Sequence, residues 1–256
     1  MDGLYYIVYF TIIDILKTFT SPFFILILLM VFLQYYKRID KPIKATLNSM
    51  MFGILGGVIG TVVFIYLEIY IIPKDFIYIF IVAIVLSLID PRLVCFAYGG
   101  SLVVLSNLII GYPDIDAYKF MIVISVLHLI ESLLILINGA GQKKAEVFNI
   151  NGRLDSGYNF IRFWPLPLVI FIGDTIIKPV TLLAMLNYSD FTISDSPKIK
   201  TIKTSIMLFF YSIILFIITK IDVHPFLPPI FAILGHEFIM SLNKYKEYKS
   251  FKRESS

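Results

Sequence analysis

The sequence predicts an all-α protein, a polytopic transmembrane helix bundle of about seven or eight membrane segments. It reads as one domain over residues 1–242, followed by a basic tail, residues 243–256. Three observations predict this. The chain is 58% hydrophobic and 16% charged, with a mean hydropathy of +0.86, against roughly 45–50% apolar and 25% charged in soluble domains. Apolar runs of membrane length follow one another from Tyr5 to Leu242. The longest polar interval, residues 139–163, holds about 25 residues, too few for a separate catalytic domain.

The segments follow in order. Residues 4–17 are apolar but carry Asp14 and Lys17 on one helical face, which suits an interfacial helix. Residues 19–36 form the first span, closed by Lys37 and Arg38. Residues 47–72 form a long, glycine-rich second span and residues 76–89 a short third, ended by Asp90-Pro91-Arg92. Residues 93–111 and 118–137 are the fourth and fifth, separated by an acidic turn. Residues 163–187 read as a sixth span broken by Pro165, Pro167 and Pro179. Residues 201–219 and 226–242 are the seventh and eighth. No basic n-region or small-residue cleavage pattern opens the chain, so no cleaved signal peptide is expected.

Basic loops orient the bundle. Residues 37–44 and 139–163 carry Lys and Arg and belong in the cytoplasm of a multi-pass cytoplasmic (plasma) membrane protein. The tail is also basic, yet three further crossings would put it outside. Either it lies outside despite its charge, or one late segment fails to cross, the proline-broken sixth or the short eighth. Within residues 139–163, two short strand-like runs with turn signals at Asn151-Gly152 and Ser156-Gly157 suggest a small β-hairpin.

Gly53, Gly56, Gly57 and Gly60 form two overlapping G-x-x-x-G spacings, which let a neighbouring backbone approach closely. Packing within the bundle, with Gly99-Gly100 as a facing groove, is the first reading, and a homo-oligomer face the other. Ionisable residues at membrane depth are costly and belong in the interior. His128 and Glu131 share one helical face, His236 and Glu237 are adjacent, and Asp174 and Lys178 could neutralise each other. The first reading of the two His/Glu pairs is a hydrogen-bonded network that fastens the bundle. The alternative is that His128, Glu131, His236 and Glu237 converge on a divalent metal such as zinc, which requires the two histidines to lie within about 10 Å. The H-E-x-x-H signature of a metalloprotease is incomplete, because Met240 stands where its second histidine would be. Cys95, the only cysteine, reads as a small buried hydrophobe. No nucleotide-binding motif or complete catalytic signature is present, so no catalytic residue and no cofactor are assigned on the first reading. Nucleic acid is not expected as a partner. The lipid bilayer is.

The order of the later motifs adds a resemblance. Arg92 to Gly100, then Leu127-His128-Leu129-Ile130-Glu131, then Phe163-Trp164-Pro165-Leu166-Pro167-Leu168, then Gly235-His236-Glu237 resembles the membrane portion of MinJ-like PDZ proteins of Gram-positive spore-forming bacteria. The resemblance implies a non-enzymatic membrane scaffold or topology factor that contacts cell-division or polarity proteins. In that family a PDZ domain follows soon after G-H-E. None follows in this sequence, which leaves the bundle and its cytoplasmic loops as the expected contact surfaces. A metal-dependent intramembrane hydrolase and a small-solute or ion transporter, the latter through Asp174 and Lys178, are the competing expectations.

Overall fold

The computed structural model describes residues 9, 13 and 16–253, apart from 37, 70–72, 91, 92, 94, 151, 152 and 173–177. The helix expected at residues 4–17 falls largely outside them, as does Asp174. Helices α1 (Pro22–Tyr36), α2 (Pro42–Tyr66), α3 (Pro73–Ile89), α4 (Phe96–Ile110) and α5 (Ala117–Asn138) precede three strands, β1 (Lys143–Ile150), β2 (Arg153–Ile172) and β3 (Lys178–Thr192). Helices α6 (Pro197–Ile221) and α7 (Leu227–Arg253) close the chain. The strands form one antiparallel sheet in the order β1-β2-β3.

This corrects the all-α expectation and its count of seven or eight segments. Among the described residues, three helices are long and apolar enough to cross a membrane, Pro42–Tyr66, Ala117–Gly141 and Pro197–Ile221, while α1, α3 and α4 are apolar but shorter. Residues 163–187 are not a helical span. Residues 163–172 lie in β2 and 178–187 in β3, paired from Tyr158↔Thr192 to Ile172↔Lys178. The prolines give the reason. Inside a helix, Pro165 and Pro167 would each break an intrahelical bond at about 3 kcal/mol. Spaced two apart on a strand, they put both missing N–H groups on the same edge. The expected hairpin is present and larger than anticipated. It runs from Lys143↔Phe160 to Ile150↔Arg153, and Ser156-Gly157 lies inside β2 rather than at a turn.

Beyond Phe160, β2 has β3 on one edge and, among the described residues, no strand on the other. Membrane depth tolerates such an edge only where protein satisfies it. The N–H groups facing this edge belong to odd-numbered residues, and from Ile161 to Val169 each has an answer. Ile161 donates to the Gln142 carbonyl at 3.4 Å. Phe163 donates to the Tyr35 hydroxyl at 3.0 Å, and Val169 to Thr61 Oγ1 at 2.9 Å. Pro165 and Pro167 have no N–H to satisfy.

The glycine stripe of α2 seats against this edge. A methyl group on Gly53 would overlap the Pro165 carbonyl oxygen, and one on Gly57 the Pro167 carbonyl oxygen. Gly56 and Gly60 face Ile130 of α5 and the Leu166 and Leu168 side chains. The close approach predicted from G-x-x-x-G is therefore made to a strand rather than a helix. Gly99 and Gly100 are not its counterpart, since they face Ile79 and Ala83 of α3 and Ile124 of α5.

The sheet thus runs alongside α2 from Asn48 to Thr61, about 20 Å of helix rise, and returns. A polar cluster marks its entry. Arg162 is fully buried and donates to Asn48 Oδ1 at 2.6 Å. Asn138 donates to the same oxygen at 3.0 Å, and Trp164 Nε1 donates to Asn138 Oδ1 at 3.1 Å. The start of α2 meets the end of α5 through Asn48 and Asn138. Gly139 touches Thr201 in the first turns of α6, and the C-terminal part of α7 returns to the same end. The basic stretches 37–44, 139–163 and 243–253 therefore share one end of the molecule.

The α7 segment expected as a basic tail continues as helix to Arg253 and is fastened by a buried network. Lys200 Nζ lies 3.1 Å from Glu247 Oε1 and 3.6 Å from Asp190 Oδ2. Glu247 also accepts from the Ile193 N–H at 2.9 Å and the Ser194 hydroxyl at 3.1 Å. Burial pushes the Asp190 carboxyl above the usual carboxylate range despite Lys200. Burial acts on Glu247 in the same sense, but the Ile193 N–H, Lys200 and the Ser194 N–H outweigh it and hold its carboxyl below that range.

Candidate metal centre

Three elements bring the cluster together. Cys95 caps α4, where its sulfur accepts from the Ala97 N–H at 3.5 Å. This cap holds Sγ at the helix start, facing α5 and α7. His128 sits in the middle of α5, a helix buried over most of its length. His236 comes from the apolar half of α7. Cys95 Sγ lies 3.2 Å from His128 Nε2 and 3.7 Å from His236 Nε2. The three potential ligand atoms all lie within 4.8 Å of one another. The two imidazole centroids are 5.5 Å apart, well inside the limit set from the sequence.

The hydrogen bonds determine both tautomers. His128 Nδ1 lies 2.7 Å from the Ile124 carbonyl. A carbonyl only accepts, so Nδ1 carries the proton and Nε2 a lone pair. His236 Nδ1 lies 3.1 Å from the Tyr98 hydroxyl, which itself donates to Glu237 Oε2 at 2.7 Å. With its proton committed to Glu237, Tyr98 accepts from His236, and Nε2 is again left with its lone pair. Two imidazole lone pairs therefore converge on one sulfur, whose single thiol proton can satisfy only one of them. A cation satisfies both and the sulfur as well.

Zinc suits this set. With Zn–N near 2.05 Å and Zn–S near 2.3 Å at tetrahedral angles, an S···N separation of about 3.6 Å is required. The observed separations of 3.2 and 3.7 Å bracket it. The shell behind the ligands also has the form metal sites use, with each ligating histidine held through its other ring nitrogen by a carbonyl or a carboxylate-linked group.

A cavity of about 100 Å³ opens beside the cluster. Cys95, His128, Glu131 and His236 line it together with residues 185–189 of β3. Glu131, one helical turn beyond His128, is 9% exposed. Its carboxyl makes no hydrogen bond to any described residue.

Of the residues predicted as metal ligands, His128 and His236 meet. Glu131 shares their cavity without joining the ligand group, and Glu237 stands one step back, orienting His236 through Tyr98. Cys95, read from sequence as a hydrophobe, supplies the third potential ligand atom. Its signal lay in position, since a cysteine at the turn into a helix presents its sulfur beyond the helix end rather than along its side. Asp174 and the Lys178 side chain lie outside what the structure describes, and Lys178 opens β3. No protein-family model, no curated protein and no solved structure matches this chain.

Proposed function

We propose that the chain is an intramembrane metal-dependent hydrolase whose zinc is held by Cys95, His128 and His236, with Glu131 as general base. The observation that carries this reading is the convergence of two tautomer-fixed imidazoles and one thiol within 4.8 Å, beside a cavity that also holds an unpaired carboxyl. Three protein ligands and one open position is the pattern of catalytic rather than structural zinc. When bound, the ion polarises a carbonyl and lowers the pKa of a coordinated water. Cys95, His128 and His236 hold the open position toward the cavity, Glu131 takes the water's proton, and the surrounding apolar helices exclude bulk solvent. The three long apolar helices and the shared basic end support a multi-pass protein of the plasma membrane with that end in the cytoplasm.

Purified chain reconstituted with zinc should hold one ion per molecule by elemental analysis. Cys95→Ser, His128→Ala and His236→Ala should each lose most of it. A wild-type chain that stays zinc-free, or a His236→Ala chain that retains zinc, sinks the proposal. Glu131→Gln should keep the ion and lose hydrolysis. Tyr98→Phe removes the group that orients His236 and should weaken zinc binding by about 10–100-fold, as other such outer partners do. Competition against a chromogenic chelator measures this.

A second reading, the membrane scaffold that the motif order implies, has one observation in its favour. Val147 and Leu154 lie on one face of the β1–β2 hairpin, at the basic end, and are 68% and 67% exposed. An apolar pair on a short hairpin suits contact with a division or polarity protein. Normal septum placement in a Val147→Asp, Leu154→Asp strain would count against it.

A further inference from the structure

The two edges of the re-entrant sheet are treated differently. From Phe163 to Val169 the edge of β2 is closed by two prolines, a tyrosine and a threonine. The outer edge of β3 has no such cover. The odd residues of β2 face away from β3, so its even residues pair with β3. The register Arg162↔Tyr188 and Leu166↔Ala184 then turns the N–H and C=O groups of Leu183, Met185, Asn187 and Ser189 outward. Those outward groups make no hydrogen bond to any described residue. Met185 pairs with Pro165, which abuts Gly53 near the middle of α2. An open edge at that depth is costly unless something pairs with it. Residues 185–189 also line the cavity that holds the cluster and Glu131.

We propose that the substrate is an extended polypeptide segment that adds to the outer edge of β3 over residues 183–189, which carries its backbone past the Cys95–His128–His236 centre. This rests on the metal-centre reading above and assigns its substrate class. An edge strand recognises backbone by hydrogen bonds alone, and side chains supply specificity at alternate positions. The same pairing leaves every second peptide carbonyl of the added segment free of the β3 ladder. Hydrolysis then balances without any redox partner. Glu131 takes a proton from the water at the open position, and the water oxygen bonds to the scissile carbonyl carbon. The C–N bond breaks, and the proton passes from Glu131 to the departing amine. One water is consumed, and a new carboxyl and a new amine result.

The test uses the full zinc-loaded chain in detergent and a short peptide of alternating valine and threonine with terminal lysines. Its counterpart with every backbone nitrogen methylated serves as control. The unmodified peptide should bind, and the methylated one should bind at least about 100-fold more weakly, since it loses several backbone hydrogen bonds together. Asn187→Pro removes one outward N–H without touching the β2–β3 ladder. It should weaken binding about tenfold while retaining zinc, and Asn187→Ala should bind as wild type. Equal binding of the two peptides overturns the proposal, whether or not Asn187→Pro folds. So does undiminished binding to a zinc-retaining Asn187→Pro chain. Binding by the zinc-loaded wild type without any cleavage product in the mass spectrum supports the docking edge and overturns the hydrolytic reading beneath it. Loss of zinc in the ligand variants with peptide binding intact shows that edge and metal centre are separable.

Discussion

Gly53→Ala should destabilise the protein by about 3 kcal/mol, the upper end of overpacking penalties. The substitution would normally help, because alanine is favoured over glycine inside a helix by about 1 kcal/mol. Here the added methyl overlaps the Pro165 carbonyl oxygen. That oxygen belongs to a strand whose other edge is hydrogen-bonded to β3 throughout, so it cannot withdraw without breaking the ladder. Gly56→Ala is the matched control. Its methyl meets side chains only, Ile130 and Leu134 at 3.1 Å each and Leu166 at 3.4 Å, and flexible side chains can yield. Unfolding in mixed micelles should therefore separate two glycines that are equivalent in the G-x-x-x-G pattern. A neutral or stabilising Gly53→Ala would show that the strand does not sit in the α2 groove.

The second large effect is expected at Lys200→Met, with a loss of about 3–5 kcal/mol. Lys200 is 3% exposed and Glu247 2%, so the substitution leaves a buried carboxylate without its cation. Asp190 adapts more easily, since burial already favours its protonated form. Glu247 does not, because its backbone donors hold it ionised. Adding Glu247→Met to Lys200→Met should recover much of the loss, as buried ion pairs replaced whole by apolar groups often do. A double variant no more stable than Lys200→Met would mean that Glu247 is not the charge Lys200 neutralises.

Hydropathy made the membrane character legible, because it reports local composition. The same property hid the sheet. Residues 163–172 are apolar on both faces, like a helical span, and strand and span differ there only in the two-residue spacing of Pro165 and Pro167. The edge accounting that makes those prolines sensible depends on Tyr35 and Thr61, each about 100 residues away, a kind of partner that no local pattern reveals. The His/Glu pairs were legible as interior polar groups, since ionisable residues at that depth must face the core. Which of them converge was not. Cys95 joins the two histidines and Glu237 stands behind them, because reach depends on Tyr98 and on the helix start at Phe96, both settled by tertiary packing. The tail was misjudged for a similar reason. Its lysines look solvated in sequence, but Glu247 is buried by a lysine 47 positions earlier.

In the proposed multi-pass arrangement, the re-entrant hairpin also constrains biogenesis. Helix α2 leaves the ribosome about 100 residues ahead of the strand that fills its groove, in a chain that emerges N-terminus first. A translocon can release α2 and α5 to lipid individually, because each satisfies its own backbone. It cannot release β2, whose exposed amides have no partner in hydrocarbon. The strand pair must therefore enter a vestibule already walled by α2 and α5. Until then the groove is lined by acyl chains or by an insertase, which makes lipid displacement from the glycine stripe an obligatory late step in maturation.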